Sequence, residues 1–193
     1  MTEVGPESGV DIAGVDLDAA FGPALKPVRV DPIELEVRPS SLTQLDGESA
    51  PLLVSFMAAT ENGLKVTRFV YSELPILWIV DTDGSVWFSV EEIVETASKR
   101  FVAPRLRFGD VPKGHQKLGH PALIGGGPGR IAGEIFFDVG AESPCWAITN
   151  GSGRYGLLPG RQPNHLTNVS NLFGEHGIRL QESFIPPKTG GGR

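Results

Sequence analysis

The residues best suited to chemistry lie in the second half of the chain. Residues 150–155 read Asn-Gly-Ser-Gly-Arg-Tyr, a loop in which hydrogen-bonding side chains alternate with glycine hinges. Arg154 can clamp a phosphate or carboxylate through its fork of N–H donors, Asn150 and Ser152 can donate hydrogen bonds, and Tyr155 can stack on a ring. The same loop also reads as a tight turn, with Tyr155 plugging the core and Arg154 in solvent. Upstream, Glu134 sits in Ile-Ala-Gly-Glu-Ile-Phe-Phe. A carboxylate in so apolar a run needs a partner, and Arg154 or His120 is the natural candidate, unless strand alternation turns it outward. A neutral His120 near pH 7 has the right chemistry for an acid or base, or for satisfying loop carbonyls.

His120 belongs to a glycine-rich stretch, residues 114–129, that ends Gly-Gly-Gly-Pro-Gly. Glycines of this kind let backbone amides approach a ligand, as anion-binding loops do, but they also make a plain hairpin loop. Gly127, Gly129 and Ala132 fit G-x-G-x-x-A formally. That fingerprint should end a strand and open a helix, whereas here a strand follows, so a dinucleotide site is not indicated. There is no G-x-x-x-x-G-K-[ST] segment. His115 and His120 are not at a zinc spacing and lack a carboxylate pair, so no metal site is expected. His165 and His176 are expected on the surface. No cofactor is named by any motif.

Composition narrows the classes. A chain of 193 residues with 40% hydrophobic and 21% charged residues has enough apolar material for one folded domain. A net charge of −6 argues against general nucleic-acid binding. The basic run Lys99, Arg100, Arg105, Arg107 reads as a solvated edge. Cys145 is the single cysteine, which leaves no internal disulfide, and its apolar neighbours make it a small core residue. No apolar run approaches the roughly 20 residues of a membrane span, and the N-terminus lacks the features of a secretory signal. The chain thus reads as cytoplasmic, or as delivered by a dedicated secretion machine.

The elements that must position these residues are mainly strands. Residues 33–37 alternate apolar and acidic, residues 52–58 are an apolar run, and residues 65–71 alternate again; all three are predicted as strands. Residues 76–80 and 86–88 flank Asp81-Thr-Asp-Gly84, a hairpin signal. Residues 89–98 are predicted as a short helix, residues 130–139 and 145–149 as paired strands, and residues 163–177 as a helix closed by Gly177. A last strand is expected within 178–185. This is an α+β single domain, mostly antiparallel sheet with two or three helices. Residues 33–185 form the domain, residues 1–32 a loosely ordered arm or peripheral wrap, and residues 186–193 a flexible tail.

The order His120-x-x-Leu123-x-Gly125-Gly126, Ala132-Gly133, Ser152-Gly153-x-Tyr155 and a helix ending in Gly177-Ile178 resembles the C-terminal domain of plant IQ-motif (IQM) calmodulin-binding proteins and their fungal and bacterial relatives. The resemblance includes the Trp78–Phe88 hairpin and so covers about half of the chain. It implies a site at His120, the glycine loop and the Ser152–Tyr155 turn, and for bacterial relatives a place in toxin or effector systems. The family's Ser-Ser pair is Pro121-Ala122 here, and the histidine of its Ser-Gly-His-Tyr turn is Arg154. No IQ motif is present, so calmodulin binding is not implied.

Three functions remain open. The leading expectation is a module with a small polar ligand or partner site on the glycine-rich loops, built from His120, Glu134, Asn150, Ser152, Arg154 and Tyr155. The alternatives are a nucleotide-handling enzyme resembling an ADP-ribosyltransferase effector, and an immunity-type protein whose acidic surface faces a basic partner. The order His, Glu, Ser/Tyr departs from the His–Tyr–Glu order usual in those transferases.

Overall fold

The computed structural model describes residues 16–62, 72–107 and 109–187. Two sheets carry the architecture. The larger runs β1-β3-β2-β7-β8-β9, made of Thr43–Gln44, Val86–Val90, Ile76–Val80, Ala132–Asp138, Cys145–Thr149 and Gln181–Ser183. All its neighbours are antiparallel except β8 and β9. The smaller sheet, β5-β4-β6, consists of Phe101–Pro104, Glu92–Glu95 and His115–Leu118. The fold is α+β with a mostly antiparallel sheet.

The β2–β3 hairpin forms where the Asp-Gly turn predicts it, and β2 is buried along its whole length. Because successive side chains point to opposite faces, β2 feeds two cores. Ile76, Trp78 and Val80 join the main core with Ile135, Phe137, Trp146 and Ile148, while Leu77 and Ile79 pack with Leu123, Ala132 and Tyr155. On the main-core side lie α1 (Leu17–Phe21), α3 (Ala50–Asn62) and the late helix Pro163–Glu175, here α5. On the other side lie α2 (Pro32–Glu36), α4 (His120–Leu123) and the smaller sheet.

The helix at α5 is the one read from sequence: Pro163 opens it, Leu166, Val169 and Phe173 bury one face, and Gly177 (φ 79°) closes it. Three other assignments change. Residues 33–36 are helical, because Pro32 starts the turn and the Glu34 carboxylate accepts the Asp31 amide at 2.8 Å; Val37 is the extended cap. Residues 52–58 belong to α3, which buries Ala50, Leu53, Met57 and Thr60 at helical spacing and leaves Leu52 and Val54 exposed. Residues 92–95 are a strand, with Glu92 buried in it and Glu91 buried just ahead of it. The Glu92 carboxylate receives the amides and hydroxyls of Ser40 and Ser41 at 2.7–2.9 Å.

The predicted strand at 65–71 lies outside the described residues, as do 1–15 and 188–193 of the expected arm and tail. The described part of the arm is built into the domain. Phe21 reaches the main core, the Asn168 side chain donates to the Ala20 carbonyl, and Leu25 bridges Gly129. Cys145 is half-buried rather than a core residue, its thiol donating to the Gln181 side chain at 2.9 Å. Among the described residues no helix is long and apolar enough to cross a membrane.

Candidate functional site

A cleft of about 390 Å³ opens on the side of the sheet away from the main core. Its lining comes from six places in the chain, among them Glu91 between β3 and β4, Lys117 on β6, Gly119 and His120 at the start of α4, Glu134 on β7, and the Gly151–Arg154 loop after β8. Val28 and Arg29, ahead of α2, complete it. His120, Glu134, Ser152 and Arg154 of the sequence-predicted set therefore meet in one cavity. Asn150 and Tyr155 do not line it.

Close backbone approach makes this possible. A Cβ at Gly133 would overlap the Thr149 carbonyl oxygen, and one at Gly156 would overlap the carbonyls of Ala132 and Asn150. Only glycine lets β7 and the loop after β8 lie this close. The fully buried Asn150 then locks the loop, donating to the Gly156 and Ile185 carbonyls and accepting the Ile185 amide at 2.7 Å. Tyr155 plugs the second core, its hydroxyl donating to the Gly127 carbonyl at 2.8 Å. Burial pushes that phenol well above its usual range. The side-chain hydrogen bonds of both residues go to the protein's own backbone. Ser152 is buried but reaches the cleft, its hydroxyl oxygen accepting the Tyr155 amide.

His120 has the most defined chemistry. Its Nε2 lies 2.8 Å from the Gly133 carbonyl oxygen, which can only accept, so Nε2 carries the proton. Nδ1, with no hydrogen bond to any described residue, is then the bare, basic nitrogen. Burial lowers the imidazole pKa to about 4, against the partial support of the Gly133 carbonyl. It is therefore neutral at pH 7, with Nδ1 free to accept a hydrogen bond. Glu134 is displaced the other way: desolvation raises its pKa, offset in part by Arg107. Two titratable groups displaced in opposite directions thus line one cavity.

The acid-base partners correct the sequence expectation. Glu134 faces Arg107 at 3.7 Å, not Arg154 or His120, and the Arg107 guanidinium also lies over the Phe136 ring. Arg154 is committed to acids of its own, donating to Glu34 at 2.6 Å and Asp31 at 2.9 Å. Its role is to strap the segment before α2 onto the cleft loop, an arrangement extended by the Val28 amide donating to the Arg154 carbonyl. The expected anion clamp is thereby neutralised. The basic run is likewise not a bare solvated edge, since Arg105 and Lys117 converge on the buried Glu91 carboxylate at 2.6 and 2.8 Å. Glu91 and Lys117 escaped the sequence reading as a pair because they meet across 26 residues, while Arg29, paired with Asp31 two residues on, carried no local signal of the cleft.

The glycine run has a packing role. A Cβ at Gly126 would lie 2.6 Å from Leu35, one at Gly129 would lie 2.8 Å from Ile79, and Gly125 makes room for the Arg38 guanidinium. His165, expected at the surface, is buried and accepts the Gln162 amide at the start of α5. Arg161, not singled out from sequence, is a buried clamp on the carbonyls of Pro23, Gly129 and Tyr155. Among the described residues no cluster of three or more His, Cys, Asp or Glu side chains is placed to hold a metal ion.

The His120 shift has a testable sign. The unfolded histidine takes up a proton near pH 6.5, whereas the folded one does so only near pH 4. Between those values the unfolded state binds more protons, so stability falls as pH drops from 6.5 to 4. The loss is on the order of a few kcal/mol. Glu134, with a raised pKa, gives the opposite slope as pH rises through and above 4.5. Urea melts of His120→Gln and parent should therefore diverge between pH 7 and pH 4, the variant showing the flatter loss. Parallel curves would contradict a neutral, buried His120.

Comparison with protein-family models, with curated proteins and with solved structures gives no match for this chain. The case for function rests on the cleft itself.

Proposed function

We propose that the cleft binds a small polar ligand and that His120 Nδ1 accepts a proton or hydrogen bond from it. The observation that carries this reading is the His120–Gly133 contact, which places the proton on Nε2 and leaves Nδ1 as the acceptor in a cavity also lined by Glu134. A volume of about 390 Å³ suits a small molecule or one moiety of a larger one. Lys117, half-exposed and bonded to Glu91, offers a cation with donors to spare, and Arg29 lines the same cavity. Arg29 is paired with Asp31 and Lys117 with Glu91, so an anionic group on the ligand would share these cations with their carboxylates, using the donors left over.

A thermal-shift screen with NAD, ADP-ribose, nucleoside phosphates and small dicarboxylates tests this. At least one should raise Tm by several degrees, and both Lys117→Gln and His120→Gln should reduce that shift. If no compound shifts the parent, or if the shift survives both substitutions, the cleft is not the binding site.

An enzyme reading is favoured by the opposite displacements of His120 and Glu134. It makes His120 the general base and Glu134 the general acid on the bound ligand. It predicts turnover whose pH profile loses its acid limb in His120→Gln.

A further inference from the structure

A second cleft, of about 380 Å³, lies where the β2–β3 turn meets α4 and the glycine run. Trp87, Leu42, Leu123 and Ile124 supply its apolar lining, and Arg38 and Asp81 its charges. It shares no lining residue with the first cleft.

Its two charged groups are in different states. Asp81 is saturated by its own turn, accepting the amides of Asp83 and Ser85 at 2.9 and 3.0 Å and the Trp87 indole N–H at 2.8 Å. That last bond fixes the plane of the half-buried Trp87. Arg38 is exposed, and among the described residues it donates only to the Ala122 carbonyl at 2.8 Å and faces no carboxylate. A guanidinium carries five N–H donors, so most of its capacity is unused. The position is nonetheless built: Gly125, held at φ 66°, leaves the space that the guanidinium occupies. An anchored cation with no anion stands beside a fixed indole and three aliphatic side chains.

We propose that this cleft is a second binding site, for a small amphipathic monocarboxylate: an aromatic or branched apolar body on Trp87, Leu42 and Ile124, and a carboxylate paired with Arg38. The apolar lining disfavours a fully polar ligand such as free phosphate, and one planar fork matches one carboxylate.

Trp87 is also the reporter. Trp78 and Trp146 are 0% and 3% exposed, so a ligand-dependent change in indole fluorescence comes from Trp87. Titration of the full chain with 3-phenylpropionate should give a saturable change with Kd of about 1 mM or tighter, the scale for a ligand of this size. The uncharged 3-phenylpropan-1-ol should bind at least about tenfold more weakly, and Arg38→Gln should abolish that difference. Arg38→Lys, which keeps the charge, should retain part of the preference and serves where Arg38→Gln melts early. Lys117→Gln, in the other cleft, should leave the titration unchanged. The proposal is overturned by no saturable change, by equal binding of acid and alcohol, or by loss of the signal in Lys117→Gln.

Discussion

Gly133→Ala is expected to unfold the protein at temperatures where the parent is native. The added methyl has no route of escape. It would overlap the Thr149 carbonyl oxygen and come within 2.7 Å of that carbonyl's carbon and 2.8 Å of Asn150 Cα. All three are backbone atoms, so no rotamer change relieves the clash; the strands must separate. β7 and β8 are paired over five positions, and β7 is also tied to β2, with Gly133 opposite Trp78. Separating them opens both cores and withdraws the carbonyl that holds His120. A loss of about 4 kcal/mol or more is expected, at the upper end for single substitutions, with Tm lower by about 10 °C. Gly153→Ala is the control: it lies in the nearby loop after β8, with nothing within 4 Å of the added carbon. It should change stability by less than about 0.5 kcal/mol. A melt of Gly133→Ala within two degrees of Gly153→Ala would show that this close approach is not a constraint.

The contrast between these glycines shows what could be read from the chain and what could not. Local signals were legible. The Asp-Gly turn placed the β2–β3 hairpin, alternation placed β7, and Leu166, Val169 and Phe173 placed α5. The cleft was legible in part, since His120, Glu134, Ser152 and Arg154 all line it. Roles fixed by distant partners were not. Glu34 reads as the polar position of a strand until Gly119 and Arg154, more than 80 residues away, are seen to require it. Glu91 and Glu92 read as a helix start because acids favour first turns, yet long-range cations and serine donors bury them within a strand region. Pro32 was a helix-start signal in plain view, outweighed by an alternation only five residues long. In the glycine run, composition showed room but not its occupants: Gly125, Gly126 and Gly129 make space for Arg38, Leu35 and Ile79, while Gly127 and Pro128 line the second cleft.

Glu34→Ala is the second change expected to have a large effect, because one buried carboxylate joins three parts of the chain. Glu34 is 0% exposed. Its Oε2 accepts the Asp31 amide at 2.8 Å and Arg154 at 2.6 Å, while Oε1 accepts the Gly119 amide at 2.9 Å. Alanine leaves the Gly119 amide without its acceptor immediately before α4, and it leaves a largely buried guanidinium short of one counter-charge. Breaking a buried pair from one side costs about 3–5 kcal/mol, more than the intact pair contributes, because the remaining charge is stranded. The loss should depend little on salt, since screening acts weakly on buried charges. A double-mutant cycle separates this from simple loss of packing. Arg154→Ala removes the stranded charge, so Glu34→Ala with Arg154→Ala should be less destabilised than the sum of the single changes, by about 2 kcal/mol. Additive losses would mean that Glu34 acts through the Gly119 and Asp31 amides alone. The same substitution should reach the cleft: the strap keeps Asp31, the Arg29 carbonyl and the Val28 amide but loses its most buried bond, so any ligand that stabilises the parent should bind Glu34→Ala more weakly, even where both proteins are fully folded.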